Sequence, residues 1–228
     1  ERAHALFHDL PVRDVALWNA LMTGYSENGM DENVCIFLEE MQLEGVNPDH
    51  ETFACCVRAC GSLEDGVKGQ ELHIEMSKKG FNDEVISSIL VDMYGKCCLL
   101  PEAHNVFSKM EDQNVVSWTS LIAGYTNHDY GEEALACFEE MQSKGISPNS
   151  VTFICVLKAC GSIQSIDKGS QIHHQIVRLN LLENDIIVGS ALVDMYAKHG
   201  FLEKAEDLFD QISSRDTMAW NALISGYA

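Results

Sequence analysis

What most constrains this chain is its own repetition. The segment LWNALMTGYSENG at 17–29 returns as SWTSLIAGYTNHD at 117–129 and begins again as AWNALISGYA at 219–228. Two long units, residues 15–114 and 115–216, therefore carry one pattern, and each divides again into three helical hairpins. Self-similarity on this scale marks a solenoid, in which a hairpin buries its apolar face only against its neighbours. Function in such a fold runs along a surface, so the search is for a line of residues rather than a pocket.

The hairpins follow from apolar spacing. In residues 15–49, Leu17, Trp18, Leu21, Met22 and Tyr25 fall on one helical stripe until Asn28-Gly29 breaks it. Val34, Ile36, Phe37 and Met41 make a second stripe, closed by Gly45 and Pro48. Alignment places the remaining hairpins at 50–83, 84–114, 115–149, 150–185 and 186–216. Residues 1–14 match the closing helix EKAEDLFDQISSRD of 203–216, and 217–228 match an opening helix, so both ends look cut from a longer protein and no targeting peptide can be read. The aromatics Trp18, Tyr25, Trp118 and Tyr125 are expected in the core rather than as stacking platforms, because a stripe at this spacing normally packs.

Composition narrows the function classes. With 46% hydrophobic residues in 228 the chain can bury an ample core, yet no apolar run approaches the ~20 residues of a membrane span, so no membrane partner is expected. Of nine cysteines, Cys55 and Cys155 are equivalent, as are Cys60 and Cys160, and no Cys-x-x-Cys pair occurs. Buried thiols in a reducing compartment are expected, with no metal and no cofactor. The net charge of −20 counts against nucleic acid, but Glu39, Glu40, Glu44, Glu139 and Glu140 sit in second helices, where a solvated outer face accounts for them.

These residues resemble one family: plant pentatricopeptide repeat proteins of the class that alternates P, L and S motifs. VALWNALMTGYSENGMDENVCIFLEEMQLEGVNPD and VVSWTSLIAGYTNHDYGEEALACFEEMQSKGISPN are P-like; TFACCVRACGSLEDGVKGQELH and TFICVLKACGSIQSIDKGSQIH are L-like; LVDMYGKC and LVDMYAKHG are S-like. The tetratricopeptide consensus instead puts a Gly directly after the Leu, whereas here Leu21 is followed by Met22 and Gly24 precedes Tyr25. The resemblance assigns 15–49 and 115–149 to P, 50–83 and 150–185 to L, and 84–114 and 186–216 to S repeats. Residues 1–14 become the tail of an S repeat and 217–228 the start of a P repeat, all in one continuous all-α, right-handed superhelical solenoid.

The resemblance implies binding of single-stranded RNA at one base per repeat, read by the fifth residue of the first helix and the last residue of the motif. At the fifth position Asn19, Ser88, Thr119, Ser190 and Asn221 are small and polar beside an apolar neighbour, so helical geometry points them away from the hairpin core. Carrying the family code over, Asn19 with Asp49 reads uridine, Ser88 with Asn114 and Thr119 with Asn149 read adenine, and Ser190 with Asp216 reads guanine. The L pairs, Ala54 with Asp83 and Ile154 with Asp185, are left open, which gives 5′-UNAANG-3′. Family wedges between bases fall on Ala16, Val85, Val116 and Ile187. Lys96 and Lys198, at helix ends, and Arg58 and Lys158 are candidates for phosphate contact; for Lys96 and Lys198 the competing reading is an answer to the helix dipole.

Members of this class commonly direct C-to-U RNA editing in chloroplasts or mitochondria, and some carry a deaminase-like domain at the C-terminus. His73-Ile74-Glu75 matches half of a deaminase zinc motif, but no Pro-Cys-x-x-Cys follows, and His173 in the equivalent place is followed by His174 and Gln175. No catalysis and no small-molecule substrate are expected of these residues. The resemblance also allows an editing-complex helper protein on the L repeats. A second function class remains, a helical scaffold for a peptide or partner protein, with the acidic balance as its best support.

Overall fold

In the computed structural model, which describes Phe7, Leu10 and residues 12–212 and 216–227, with Glu183 described by its backbone only, every regular element among the described residues is helical. Most of the expected closing helix at 1–14 lies outside the described residues. The chain forms two compact units, Glu1–Gln113 and Asn114–Ala228. The first contains α1 (Val15–Glu27), α2 (Asp31–Leu43), α3 (His50–Ser62), α4 (Gly66–Lys79), α5 (Glu84–Lys96) and α6 (Leu100–Ser108). The second contains α7 (Val115–Asn127), α8 (Gly131–Ser143), α9 (Ser150–Ser162), α10 (Ile166–Arg178), the single turn α11 (Leu181–Asn184), α12 (Ile186–Lys198), α13 (Leu202–Gln211) and α14 (Thr217–Tyr227).

Each opening helix begins where a short acceptor side chain caps it. Asp14, Asp49, Asp83, Asn114, Asn149 and Asp185 all sit in extended backbone and accept from N–H groups of the first turn; Asp216 accepts from Ala219 N. Capping satisfies donors that the helix itself leaves unpaired, and loss of such a cap costs about 1 kcal/mol.

Packing repeats in each unit. In the first, α1 lies on α3 and α3 on α5, forming a row of opening helices; α2 packs against α1 and α3, α4 against α3 and α5, and α6 against α5. In the second, α7, α9, α12 and α14 form the row, with α8, α10 and α13 each against two of its members. Trp18, Met22, Phe37, Met41 and Phe53 are fully buried in the first core, as are Trp118, Ile122, Phe138, Met141 and Phe153 in the second. Tyr25 and Tyr125 are half-buried and Leu17 is exposed, so the apolar stripe is narrower than spacing alone implied.

Two further contacts recur. A Cβ on Gly69 would fall 2.5 Å from Met93 Sδ, and one on Gly169 would fall 2.7 Å from Met195 Sδ, so each glycine leaves the space that the methionine of the next opening helix fills. Beside each glycine a histidine bonds a tyrosine of the next opening helix: His73 Nδ1 to Tyr94 Oη at 2.8 Å and His173 Nδ1 to Tyr196 Oη at 3.0 Å. Burial, with Lys109 nearby, lowers the His73 pKa, and burial with Lys204 and His174 lowers that of His173 to about 4. Both rings are therefore neutral packing elements at pH 7.

The second helices are stitched by polar pairs. Lys68 of α4 reaches Glu39 of α2 at 3.1 Å, and Lys168 of α10 pairs with Glu139 of α8. Glu39 and Glu139 are thus partners between successive hairpins as well as solvated charges. All nine cysteines are free thiols, but the expectation of burial holds only in part: Cys35, Cys97 and Cys155 are half-buried and Cys98 is exposed. Cys98 occupies a left-handed turn at φ 59°, which turns its side chain out of the helix pair. No described helix is long and apolar enough to cross a membrane.

Candidate functional site

The row of opening helices brings the recurrent polar residues to the first turns of consecutive helices. Facing away from their own hairpin core does not leave them in solvent: Asn19, Ser88, Thr119 and Ser190 are only 7%, 8%, 8% and 0% exposed. For Asn19, Thr119 and Ser190 the next opening helix or its capping residue lies against them, which hairpin geometry alone does not include. Asn221 of α14 is exposed.

In the first unit, Asn19 Nδ2 donates to Asp49 Oδ1 at 3.0 Å. Fully buried Thr52 completes the cluster: its Oγ1 lies 2.6 Å from Asn19 Oδ1 and 2.9 Å from Asp49 Oδ1, while its N–H donates to Asp49 Oδ1 at 2.9 Å. Burial pushes the Asp49 carboxyl up, but hydrogen bonds from the Thr52 backbone, Asn19 and the Thr52 hydroxyl outweigh it and hold the pKa below the ordinary value. Asp49 is a charged cap with one oxygen committed to the fold. A cleft of about 480 Å³ opens beside it, lined by Ala16, Asn19, Thr23 and Asp49 among others.

In the second unit the same places hold a neutral relay. Thr119 Oγ1 lies 2.7 Å from Thr152 Oγ1, and Thr152 donates to Asn149 Oδ1 at 2.9 Å by both its hydroxyl and its N–H. Asn149 must turn its oxygen to the helix to cap it, so its NH₂ is the end left over. Ser190 Oγ lies 2.9 Å from Asp216 Oδ1 and 3.0 Å from the Ile186 carbonyl. Ser88 Oγ donates to the Glu84 carbonyl at 2.9 Å, and Asn114 Oδ1 caps α7 through Val116 N and Ser117 N; these two belong to different units. Thr52 and Thr152 were not singled out from the sequence, although their recurrence in TFACC and TFICV was the available signal.

One turn before the fifth positions, apolar side chains stand in solvent: Val85 61%, Val116 56% and Ile187 51% exposed, with Ala16 exposed as well. Val151, 54% exposed at the same place on α9, belongs with them and was missed. The cations are more constrained than a bare basic line. Lys96 pairs with Asp92 at 2.8 Å and Lys198 with Asp194 at 2.6 Å on their own helices, and Lys158 Nζ donates to Asn127 Oδ1 at 3.0 Å. Arg58 is exposed. Lys158, Asp194, Lys198, Met218 and Asn221 share a cleft of about 760 Å³ in the second unit. No group of His, Cys, Asp and Glu among the described residues could hold a metal ion.

Comparison with known proteins fits this architecture. The profile described as PPR repeat family matches residues 13–62 and 113–162, and that described as PPR repeat matches 85–115 and 190–216. A putative pentatricopeptide repeat-containing protein of Arabidopsis thaliana is 37% identical over 99% of this chain and 33% of its own length. A chloroplastic relative from the same plant is 36% identical over 100% of this chain and 27% of its own length, and a mitochondrial one 33% identical over 100% and 41%. The chain thus spans well under half the length of these relatives. The crystal structure of the pentatricopeptide repeat protein PPR10 from maize superposes with a TM-score of 0.69 at 22% identity, covering 98% of this chain and 34% of that one. PPR10 in complex with an 18-nt psaJ RNA element gives 0.76 at 17% identity, covering 95% and 32%. The fold is an all-α repeat solenoid, and the chain belongs to the pentatricopeptide repeat family.

Proposed function

We propose that this chain is a base-by-base reader of single-stranded RNA, serving as the recognition module of a P, L and S type editing factor for C-to-U changes in a chloroplast or mitochondrion. One observation carries the reading: at Asp49, Asn114, Asn149, Asp185 and Asp216 the residue ending the hairpin spends one side-chain atom on capping the next helix and keeps the other for a ligand. An Asp cap keeps an acceptor, which suits the ring N–H of uracil or guanine; an Asn cap keeps a donor, which suits the bare ring nitrogen of adenine or cytosine. At Asn19, Thr119 and Ser190 the fifth residue is bonded to the same cluster and sets the space beside the base. This chemistry agrees with uridine at Asn19 and Asp49, adenine at Asn114 and at Thr119 and Asn149, and guanine at Ser190 and Asp216.

Exposed Val85, Val116, Val151 and Ile187 supply apolar faces for stacking, and Arg58, Lys96, Lys158 and Lys198 supply cations for phosphates. Contacts from these cations to phosphates would make binding salt-sensitive, and the −20 net charge would keep it modest. In support, PPR10 is captured with RNA and the PPR domain of Arabidopsis thaliana protein-only RNase P 1 with tRNA. Catalysis is assigned to no residue here; deamination belongs to a separate domain or partner, and a helper protein on the L repeats fits the same scheme.

The test is fluorescence-anisotropy binding at low and moderate salt to RNA containing 5′-UNAANG-3′ and to single-base variants at U, A, A and G. Selective loss at those four positions supports the reading. Equal, salt-sensitive binding to every variant removes the base assignments, and no binding at low salt favours a protein-interaction scaffold.

A further inference from the structure

The two L hairpins end in the same residue, Asp83 and Asp185, and both cap the following helix through Oδ1. Asp83 Oδ1 accepts from Val85 N at 2.9 Å and Ile86 N at 3.1 Å; Asp185 Oδ1 accepts from Ile187 N at 3.0 Å and Val188 N at 3.3 Å. They differ at the remaining oxygen. Asp83 Oδ2 lies 2.5 Å from His50 Nε2, whose ring is steadied edge-on by Phe81 with centroids 6.0 Å apart. In the second unit Ser150 stands where His50 does, and among the described residues Asp185 Oδ2 has no side-chain partner.

We infer that His50 silences the hairpin of α3 and α4 as a base reader by occupying the acceptor that Asp83 would otherwise present. The inference rests on the reading of one base per hairpin proposed above. At Asp49 the first residue of the preceding hairpin is Val15, and at Asp216 it is Ile186; neither side chain can hydrogen-bond a carboxylate. Among the Asp-ended hairpins, His50 is therefore the one first residue that closes the carboxylate. A base would have to share Asp83 Oδ2 with the His50 ring, which stands 2.5 Å away in a charge-assisted hydrogen bond, and Ala54 at the fifth position offers no second contact. The hairpin of α9 and α10, with Asp185 open and Ile154 at its fifth position, keeps a bare acceptor and favours bases with a ring N–H.

The experiment uses the full chain and 5′-UNAANG-3′ RNAs carrying each of the four bases at the second or fifth nucleotide. Wild-type protein is expected to discriminate less than about twofold at the second nucleotide, and His50→Ser to prefer U and G there over A and C by about tenfold. At the fifth nucleotide wild type should already show that preference, and Ser150→His should erase it. His50 is part-exposed at a helix start, and His50→Gln with circular dichroism controls for folding. Clear wild-type selection at the second nucleotide, or no gain in the folded His50→Ser protein, overturns the role of His50 while the first nucleotide, read by Asn19 and Asp49, stays selective. Loss of selectivity at that first nucleotide as well overturns the base-reading scheme and this inference with it.

Discussion

The two units are built on one plan and differ in the polar clusters between their opening helices. The first joins Asn19, Asp49 and Thr52 in a charged cluster; the second joins Thr119, Asn149 and Thr152 in a neutral relay. Elsewhere the units agree closely: Trp18 and Trp118 are buried, Gly69 and Gly169 admit a methionine, and His73 and His173 hold a tyrosine. Where a side chain only fills space, repetition keeps it. At the junction of opening helices the polar character is kept but its donors and acceptors are exchanged, as the proposed reading of different bases would require.

The largest effect that would strain this comparison lies in the shared core. Trp18→Ala and Trp118→Ala should each cost about 3–5 kcal/mol in urea unfolding; a cost below ~1 kcal/mol for either would mean that the units do not share a packing plan. Thr52→Val and Thr152→Val come next. Each strands buried polar partners at a cost of about 1–3 kcal/mol, and Thr52→Val should cost more because it removes the hydroxyl donor from charged Asp49. Equal thermal shifts for the pair would erase the distinction between charged cluster and neutral relay.

The histidines provide a pH test. Their folded pKa values lie below the ordinary histidine value, so the unfolded chain binds more protons than the folded one between the two. The stability that neutral His73 and His173 contribute is full above pH ~6.5 and is lost as pH falls, for His173 through about 4. Melting temperature should drop over that window, and His173→Gln should flatten the drop more than His73→Gln does if only the former's displacement is large. The smallest effect concerns a turn: Gly29 at φ 70° is replaced by Asp129 at φ 64° in the second unit. Asp129→Gly should stabilise by about 0.5–1 kcal/mol, because only glycine enters the left-handed region without a Cβ penalty; a fall in melting temperature would show that the Asp129 side chain contributes more than its strain costs.

Much of the fold was legible because helices and hairpins are set by local pattern. The stripe through Trp18, Leu21 and Met22, the breaks at Asn28-Gly29 and Gly45, and the Asp or Asn before each opening helix suffice to place the elements. The site was legible in outline only. The residues at the fifth and last positions could be named from recurrence and resemblance, yet the burial of Asn19, Thr119 and Ser190 could not, since it depends on the next hairpin rather than on their own. Thr52 and Thr152 were overlooked for the same reason, whereas Val151, second in its hairpin like Val116, and the i,i+4 pairs of Lys96 with Asp92 and of Lys198 with Asp194 were local signals left unread.

By itself, the sequence determined that this chain repeats, that it is helical, and which large apolar residues anchor each core, such as Trp18 and Trp118, because hydrophobic period and capping act over a few residues. Only the tertiary structure decided which atoms of the reading residues are spent on the fold and which remain. That division depends on neighbours about thirty residues away, such as Thr52 beside Asn19 and His50 beside Asp83, and a carboxylate oxygen can serve a helix, a histidine or a base only where packing brings one of them within hydrogen-bond reach.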